Sequence, residues 1–210
     1  MRSVKTHGRA ALVLATAGTV IATALVGVTA SPASAYCRSG MTKWNSTSSA
    51  KTIGVNTTFP SGLRNGLNGG LKQWNRTGSA LRYNSPVYTA GWLIYAFRAS
   101  YSYTSLMGNA PGYAATQVSG STHNGGTLYL SNRFTWVNAS QNISQRKADV
   151  QTVVVHEVGH FTGLAHPWPG PCTDGSAYTA AEKGSVMTTI NTGTRRALNS
   201  DDIAGVRAIY

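Results

Sequence analysis

Acidic side chains are scarce in this sequence of 210 residues, which has six Asp and Glu residues against 18 Lys and Arg residues and a formal net charge of +12. Such an excess of positive charge favours contact with anionic surfaces, such as wall polymers, acidic glycans or acidic protein substrates. Nucleic acid is the other usual partner of a basic chain. Here, however, the basic residues are scattered singly, with only Arg146-Lys147 and Arg195-Arg196 adjacent. The sequence therefore predicts no nucleic-acid partner.

Long apolar runs are also scarce, and the one that stands out is near the amino terminus, at residues 10–30. Lys and Arg residues precede this run, and the small residues Ala33-Ser34-Ala35 follow it. The pattern is typical of a secretory signal and predicts that residues 1–35 are a signal peptide. The alternative is a retained membrane anchor, since roughly 20 apolar residues can cross a bilayer. The run is rich in Ala, Thr and Gly rather than Leu, so we expect cleavage, a secreted extracellular protein and no stable membrane insertion.

The remaining residues, 36–210, are enough for one compact domain and too few for two ordinary ones. No internal repeat is evident, and the stretches rich in Ser, Thr and Gly are short enough to be loops. We therefore expect a single domain, present as a monomer.

Cysteine is almost absent, since the sequence has only Cys37 and Cys172. An even number of cysteines in an exported chain indicates a disulfide. Because the closed loop would be long, the bond would stabilise the fold by on the order of 4 kcal/mol. The alternative is that Cys37 binds a metal as an inhibitory thiolate, which we disfavour because no pro-segment is visible around it.

The spacing of apolar residues predicts three helices. The first covers residues 63–74, with apolar side chains at every third or fourth position and Ser61 as its cap. The second covers residues from about 144 to 161 and is rich in valine, a weak helix former, so this prediction also rests on the histidine spacing described below. The third begins at Ser200, whose hydroxyl can cap a helix that has two Asp residues in its first turn.

Segments rich in β-branched and aromatic residues predict strands, separated by turns that contain Gly, Pro or Asn. These segments are residues 51–59, 81–83, 92–98, 113–118 and 127–130. Strands and helices together predict an α+β fold, in which helices cover a twisted mixed β-sheet.

The segment His156-Glu157-Val158-Gly159-His160 has the residue types and the spacing of a zinc site on a helix. Four helical residues turn the chain by about 400°, so the two imidazoles lie one turn apart on one face and can both reach one ion. Glu157 lies about 100° away on the helix, so it is better placed to take a proton from a zinc-activated water than to bind the metal.

A third metal ligand is predicted at His166. Residues six positions apart differ by roughly 240° on a continuous helix, so the helix must end if His166 is to join His160. Gly163 can end it, because glycine adopts a positive φ without steric cost. Three histidines leave the fourth position of Zn²⁺ for water, which is the arrangement of catalytic zinc. We therefore expect one zinc ion. The fourth histidine of residues 36–210, His123, is predicted to lie in a solvated loop.

The eleven residues HEVGHFTGLAH, from His156 to His166, resemble the signature of the metzincin peptidases and most closely that of the matrixin family. Gly184-Ser185-Val186-Met187 is similar to the Met-turn of that family, which implies that Met187 packs beneath the metal ligands. Lys43-Trp44, Phe134-Thr135-Trp136 and residues 201–210 are also similar to family segments, so the resemblance covers nearly all of residues 36–210.

The resemblance implies a zincin-like fold with an active-site helix, a second packing helix and a carboxy-terminal helix. It also implies that Asp201 pairs with the free amino group of the processed chain, here at Tyr36, and that Asp202 supports the Met-turn. The alternative is that both are ordinary helix-start carboxylates. The sequence departs from the family in one segment, residues 167–186, which has more residues than the corresponding segment of typical matrixins. Its acidic residues are too few for the structural calcium and second zinc sites of animal relatives, so we predict neither.

These features predict a secreted zinc-dependent endopeptidase that acts on protein or peptide substrates, with Glu157 as the general base and residues 113–118 as the strand that pairs with substrate. Cleavage of a wall peptide or another non-protein amide would use the same residues. A noncatalytic binding module, with a structural zinc and the aromatic residues Tyr101, Tyr103 and Trp168 on a glycan or protein, is the alternative. The intact Glu157 argues against it, since structural zinc usually has four protein ligands.

Overall fold

A computed structural model describes residues 37–38, 43–45, 50–89, 96–138, 147–167, 179–189 and 194–210. All of these residues belong to one compact unit, residues 32–210. The predicted signal peptide lies outside the described residues, and so does Cys172, so the cleavage and the disulfide stay predictions. No helix in the described part of the chain is long and apolar enough to cross a membrane.

Short strands and four helices make up the described fold. The strands are β1 (Cys37–Arg38), β2 (Lys43–Trp44), β3 (Ile53–Val55), β4 (Val87–Tyr88), β5 (Phe97–Tyr101), β6 (Gly112–Ser119), β7 (Thr122–Leu130), β8 (Thr135–Val137), β9 (Lys147–Asp149) and β10 (Leu164–Ala165). The helices are α1 (Arg64–Trp74), α2 (Val150–Phe161), α3 (Ala180–Gly184) and α4 (Ser200–Ile209).

The main sheet has the strand order β2, β7, β5, β3 and β4, with β6 also paired to β7. β6 is antiparallel to β7, whereas the other pairings in this sheet are parallel. The predicted mixed sheet and α+β class are therefore confirmed. β6 pairs with β7 alone within the described residues, so its other edge has no strand partner there. Two further pairs, β1 with β10 and β8 with β9, lie outside this sheet.

The limits of the predicted strands differ from those observed. Of residues 51–59, only Ile53–Val55 joins the ladder, because Asn56 starts a turn in which its side-chain oxygen accepts a hydrogen bond from the backbone N–H of Thr58 at 2.9 Å. β5 extends to Tyr101, and most of the predicted strand 92–98 lies outside the described residues. β7 begins at Thr122 rather than at residue 127.

The three predicted helices are present, but the predicted caps are wrong. A single 3-10 turn, Ser61–Leu63, precedes α1, and Ser61 lies inside that turn without capping it. α2 begins only at Val150, because residues 147–149 form β9 and the Asp149 side chain caps the helix. α4 begins at Ser200, but Asn199 is the residue that caps it.

Close contact between α1 and α2 fixes the helix that carries the histidine motif. Gly70 of α1 lies so near α2 that an added Cβ would be 2.4 Å from Val154 Cγ1. Trp74, at the end of α1, is buried, and its Nε1 donates a hydrogen bond to the carbonyl oxygen of Val155 at 3.1 Å. On another side of α2, the ring of Phe161 stacks on Phe97 of the sheet, with the ring centroids 4.1 Å apart. Burial of an aromatic or aliphatic side chain of this kind stabilises the fold by about 1.5–3 kcal/mol.

Candidate metal centre

Two histidines of α2 face the same side of the helix, as residues four positions apart must. The ring centroids of His156 and His160 are 5.1 Å apart. Their Nε2 atoms lie 3.0 and 3.1 Å, respectively, from Nε2 of His166. Among the described residues, these three form the one group of His, Cys, Asp or Glu side chains that could hold a metal ion.

His166 reaches the other two histidines because α2 ends at Phe161 and the chain reverses at Gly163. Gly163 has a φ of 91°, a conformation that costs glycine little and other residues much. The helix end is closed by the backbone N–H of Thr162, which donates to the carbonyl oxygen of Val158 at 2.9 Å. The short strand β10 then leads directly to His166.

The outer nitrogens of two of the rings are hydrogen-bonded to backbone carbonyl oxygens. His156 Nδ1 donates to Val186 at 2.8 Å, and His160 Nδ1 donates to Leu164 at 3.0 Å. A proton on Nδ1 leaves a lone pair on Nε2, which is the arrangement of metal-bound histidine. The Nε2 lone pairs of His156 and His160 are thus available to a metal ion bound between these rings and His166.

The separation of the nitrogens fits zinc with little adjustment. Nitrogens bound about 2.1 Å from a tetrahedral ion are about 3.4 Å apart, a few tenths of an ångström more than the distances given above. Three imidazoles with no further protein ligand among the described residues are also a donor set typical of catalytic zinc.

Burial lowers the pKa of each imidazole, so all three are neutral at pH 7. The pKa of His156 falls to about 4, mainly through burial. That of His160 falls to about 3, first through burial and then through the neighbouring His156 and His166. The pKa of His166 is also lowered by burial. Neutral imidazole is the form that binds a metal, so no proton has to leave before the ion enters.

Glu157 is buried next to these histidines, with 7% of its surface exposed, but does not belong to the histidine group. Its side chain packs against β6, where a Cβ added to Gly112 would be 2.7 Å from Glu157 Oε1. Burial raises the pKa of Glu157 to about 8, while the backbone of Ala114 acts to lower it. The carboxyl group of Glu157 thus lies between α2 and β6, and β6 is the strand whose other edge has no strand partner among the described residues.

The Met-turn, Gly184-Ser185-Val186-Met187, packs against α2. Met187 is 2% exposed, and an added Cβ at Gly159 would be 2.1 Å from its Sδ atom. Met187 therefore packs directly against the helical turn that joins His156 to His160. The contact requires a glycine at that position of α2.

Asp202 joins α4 to the Met-turn through both carboxylate oxygens. Its Oδ1 accepts a hydrogen bond from Ser185 Oγ at 2.6 Å, and its Oδ2 accepts one from the backbone N–H of Val186 at 3.2 Å. Oδ2 also accepts from the backbone N–H of Asn199 at 2.9 Å, which completes the capping box of α4. Burial raises the pKa of Asp202, and these hydrogen bonds act in the opposite direction.

Asp201 has no comparable partners among the described residues, although only 8% of it is exposed. It lines a small pocket behind the Met-turn, together with Ala165, Pro167 and Met187. Burial, followed by the negative charges of Asp202 and Glu182, raises the pKa of Asp201 to about 6. The carboxylate thus lies in an environment that would favour a nearby cation.

The amino-terminal segment runs beside this pocket. β1 is antiparallel to β10, with Cys37 opposite Ala165. Tyr36, the predicted partner of Asp201, lies outside the described residues. The described strand nevertheless ends one residue away from it, next to the pocket wall.

The prediction for His123 is wrong. This residue lies in β7 with 2% exposure, and its ring centroid is 5.6 Å from that of Trp44 in β2. Because β7 starts earlier than predicted, His123 falls on a buried position instead of in a loop. Burial lowers the pKa of this imidazole.

The sequence reasoning missed the residue that starts the motif helix. Asp149 is completely buried, and its Oδ2 accepts hydrogen bonds from the backbone N–H of Thr152 at 2.9 Å and from its hydroxyl at 2.7 Å. An Asp directly before the valine run was a usable signal for a helix start.

Two neutral imidazoles on a helix, a third imidazole after the turn that follows it, and a buried carboxyl group outside this histidine group define a zinc metallopeptidase site. In agreement with this geometry, a sequence model of the matrixin peptidases matches residues 63–210, which is more than half of the chain. The chain belongs to the matrixin family. The matched region includes α1, the histidine motif, the Met-turn and α4.

Solved structures similar to this chain include two of myroilysin. One is 14% identical, with 82% of this chain and 97% of that chain covered and a TM-score of 0.47. The other is 16% identical, with 82% and 87% covered and a TM-score of 0.48. A third is high choriolytic enzyme 1, a hatching enzyme zinc-protease from the medaka fish Oryzias latipes, at 13% identity, 83% and 96% coverage and a TM-score of 0.46. Comparison with curated proteins finds none that matches this sequence.

Proposed function

We propose that this matrixin is a secreted zinc-dependent endopeptidase in which His156, His160 and His166 bind one zinc ion and Glu157 is the general base. The observation that carries the proposal is the convergence of three Nε2 atoms, two of them 3.0 and 3.1 Å from the third, beside a carboxyl group outside the ligand set. A structural zinc site would instead be expected to have a fourth protein ligand.

When bound, zinc would polarise the scissile carbonyl group and lower the pKa of the attacking water toward about 7. The carboxylate of Glu157 accepts the proton of that water and returns it to the leaving nitrogen. A zinc ion bound nearby would favour the ionised form of this buried carboxyl group, which is the form that can accept a proton. The packing of Glu157 against Gly112 keeps bulk water away from one side of the carboxyl group.

The substrate is proposed to bind along the edge of β6. This strand covers the predicted residues 113–118 and pairs only with β7 in the described part of the chain. An extended peptide can add to such an edge through backbone hydrogen bonds. Because Ala114 of β6 lies next to Glu157, a peptide bound there would bring a peptide bond to the base.

Export is part of the proposal and rests on the sequence of residues 1–35. Cleavage after Ala35 would create a free amino group at Tyr36, next to β1. The pairing of β1 with β10, and the carboxyl of Asp201 in the adjoining pocket with no hydrogen-bond partner among the described residues, support an ion pair between this amino group and Asp201.

The alternative of a noncatalytic binding module has less support. Tyr101 and Tyr103 are half-buried rather than exposed, and the guanidinium carbon of Arg133 lies 3.3 Å from the centre of the Tyr103 ring. Part of the surface of each of these two side chains is therefore covered by other residues of the fold and is not available to a ligand. Trp168 lies outside the described residues.

Digestion of casein by the purified protein tests the proposal. We expect hydrolysis that stops on addition of a zinc chelator and returns with zinc. Glu157→Gln, which keeps the size of the side chain beside Gly112, should retain zinc but lose activity by about 10²–10⁴-fold. A zinc-loaded wild-type protein that cleaves neither casein nor gelatin would contradict the endopeptidase function, and an active Glu157→Gln variant would remove Glu157 from the role of base.

A further inference from the structure

Two adjacent arginines, Arg195 and Arg196, contact the motif helix and the Met-turn at the same time. Arg196 forms an ion pair with Asp149 through two hydrogen bonds: its Nε donates to Oδ2 at 2.9 Å, and its Nη2 donates to Oδ1. Paired bonds between a guanidinium and a carboxylate are among the strongest and most directional in proteins. Asp149 is completely buried, so this pair compensates a charge that water does not reach.

The same two residues lie along the first turn of α2. The backbone N–H of Arg195 donates to Thr152 Oγ1 at 3.0 Å, and Gln151 Nε2 donates to the carbonyl oxygen of Arg196 at 3.2 Å. Since Thr152 is itself bonded to the capping residue Asp149, these contacts form one network around the start of the helix. The position of the first turn is thereby fixed by residues that follow the Met-turn in the sequence.

The side chain of Arg195 extends in the other direction, to the Met-turn. Its Nη1 donates to the carbonyl oxygen of Ser185 at 3.0 Å. The next residue, Val186, provides the carbonyl oxygen that accepts the hydrogen bond from His156 Nδ1 at 2.8 Å. One arginine pair therefore holds both the helix on which His156 is placed and the turn that orients its ring.

We infer that Arg195 and Arg196 form a clamp that positions His156 for metal binding by tying the start of α2 to the Met-turn. The inference rests on the proposed role of His156 as a zinc ligand. Neither arginine belongs to the three-histidine group, and both act on it only through the residues that they hold, so both are positioning residues. Groups that orient a metal-bound histidine typically change metal affinity by 10–100-fold when they are removed.

Zinc affinity, measured by competition with a chromophoric chelator, tests the clamp without any substrate. We expect Arg195→Met to raise the zinc dissociation constant about tenfold. Arg195→Lys should stay within about threefold of wild type, because an ammonium group can still donate to the carbonyl oxygen of Ser185. Arg195 is the residue of choice, since its side chain donates one hydrogen bond, to Ser185, and its loss leaves the buried Asp149 paired with Arg196. Arg195 also interacts electrostatically with Asp202, and Arg195→Lys keeps that positive charge.

A matched control is available at Arg207, whose Nε donates to the carbonyl oxygen of Thr77 at 2.6 Å, at the end of α1. Arg207→Met also removes one guanidinium-to-carbonyl hydrogen bond and one positive charge, and it should bind zinc as the wild type does. A second readout is the imidazole Nδ1–H signal of His156 in the zinc-loaded protein. This signal should exchange with solvent faster in Arg195→Met than in wild type or in Arg195→Lys.

Wild-type zinc affinity together with wild-type Nδ1–H exchange in Arg195→Met would overturn the clamp. Equal losses of zinc affinity in Arg195→Met and Arg207→Met would overturn it too, because the effect would then be one of general stability. Failure of the proposed peptidase function would be seen separately, as an inactive protein whose zinc titrations are unaffected.

Discussion

The histidines of the metal centre are spaced so that one helix and one turn bring them together. His156 and His160 follow from helical geometry, and Gly163 provides the reversal that returns His166 to them. These positions could be predicted because the spacing, together with a residue that accepts positive φ, nearly determines the local geometry. The environment of His123 could not be predicted in this way, since its burial depends on Trp44 from a distant part of the sequence.

Asp201 provides a test of amino-terminal processing. In the chain processed after Ala35, Asp201→Asn should reduce both peptidase activity and stability without loss of zinc, because the ion pair with the Tyr36 amino group is removed. The activities and zinc contents of the two processed proteins can be compared directly. Unchanged turnover in the variant would contradict the ion pair.

Asp201→Asn should raise stability, rather than lower it, in a chain that keeps the residues before Tyr36, because that chain has no free amino group at Tyr36. In the fold, the pKa of Asp201 is raised from 3.8 to about 6, so its ionised form is disfavoured and stability falls as the pH rises from about 4 to about 6. Asp201→Asn should then stabilise this chain at pH 7 by on the order of 1 kcal/mol, after allowance for solvent screening. The gain should vanish below pH 4 in urea unfolding. If Asp201→Asn changed stability in the same direction in both chains, the ion pair with the Tyr36 amino group would be contradicted.

At the scale of elements, the existence of the helices and longer strands was predictable and their ends were not. α2 was predicted to start near residue 144, but the parallel pairing of β9 with β8 holds residues 147–149 extended. β7 was predicted too short because Gly125 and Gly126 interrupt its apolar pattern, although they adopt φ values of 138° and 144° within the strand. Two-residue strands such as β1 and β10 carry no periodic signal, since they are defined only by their partner.

The packing of α1 on α2 leads to a prediction for Gly70. Gly70→Ala places a Cβ 2.4 Å from Val154 Cγ1, so the helices must separate. Alanine favours a helix by about 1 kcal/mol over glycine, but overpacking costs about 1–3 kcal/mol. We expect a net loss of up to about 2 kcal/mol in the free energy of unfolding, measured by urea denaturation.

Gly62 is the matched control, because an added Cβ meets nothing within 4 Å. Gly62→Ala should change stability by less than about 0.5 kcal/mol. Equal effects of the two substitutions would show that the helix contact does not limit stability.

At the scale of the whole molecule, the described surface is almost uniformly positive. The acidic residues in the described ranges are buried or, for Glu182, half-buried in the capping box of α3. Exposed basic residues are numerous by contrast: Lys43, Lys72, Arg76, Arg82, Arg133, Lys147, Lys183 and Arg207. The buried carboxylates support the site, and these exposed lysines and arginines face solvent.

This charge distribution predicts binding to anionic polymers, measured on a heparin column. The protein should be retained at low ionic strength and elute as salt rises, because screening weakens contacts between exposed charges. Lys72→Gln combined with Arg76→Gln should elute at lower salt, since both residues lie exposed near the end of α1. Elution of the wild type in the flow-through would contradict this role of the charge.

The metal centre itself is tested most directly by X-ray absorption at the zinc edge of the loaded protein. Three imidazole nitrogens at about 2.0–2.1 Å and one oxygen from water are expected, and the spectrum of Glu157→Gln is expected to be the same. A sulfur ligand at about 2.3 Å, fewer than three imidazoles, or a spectrum that changes in Glu157→Gln would contradict this expectation.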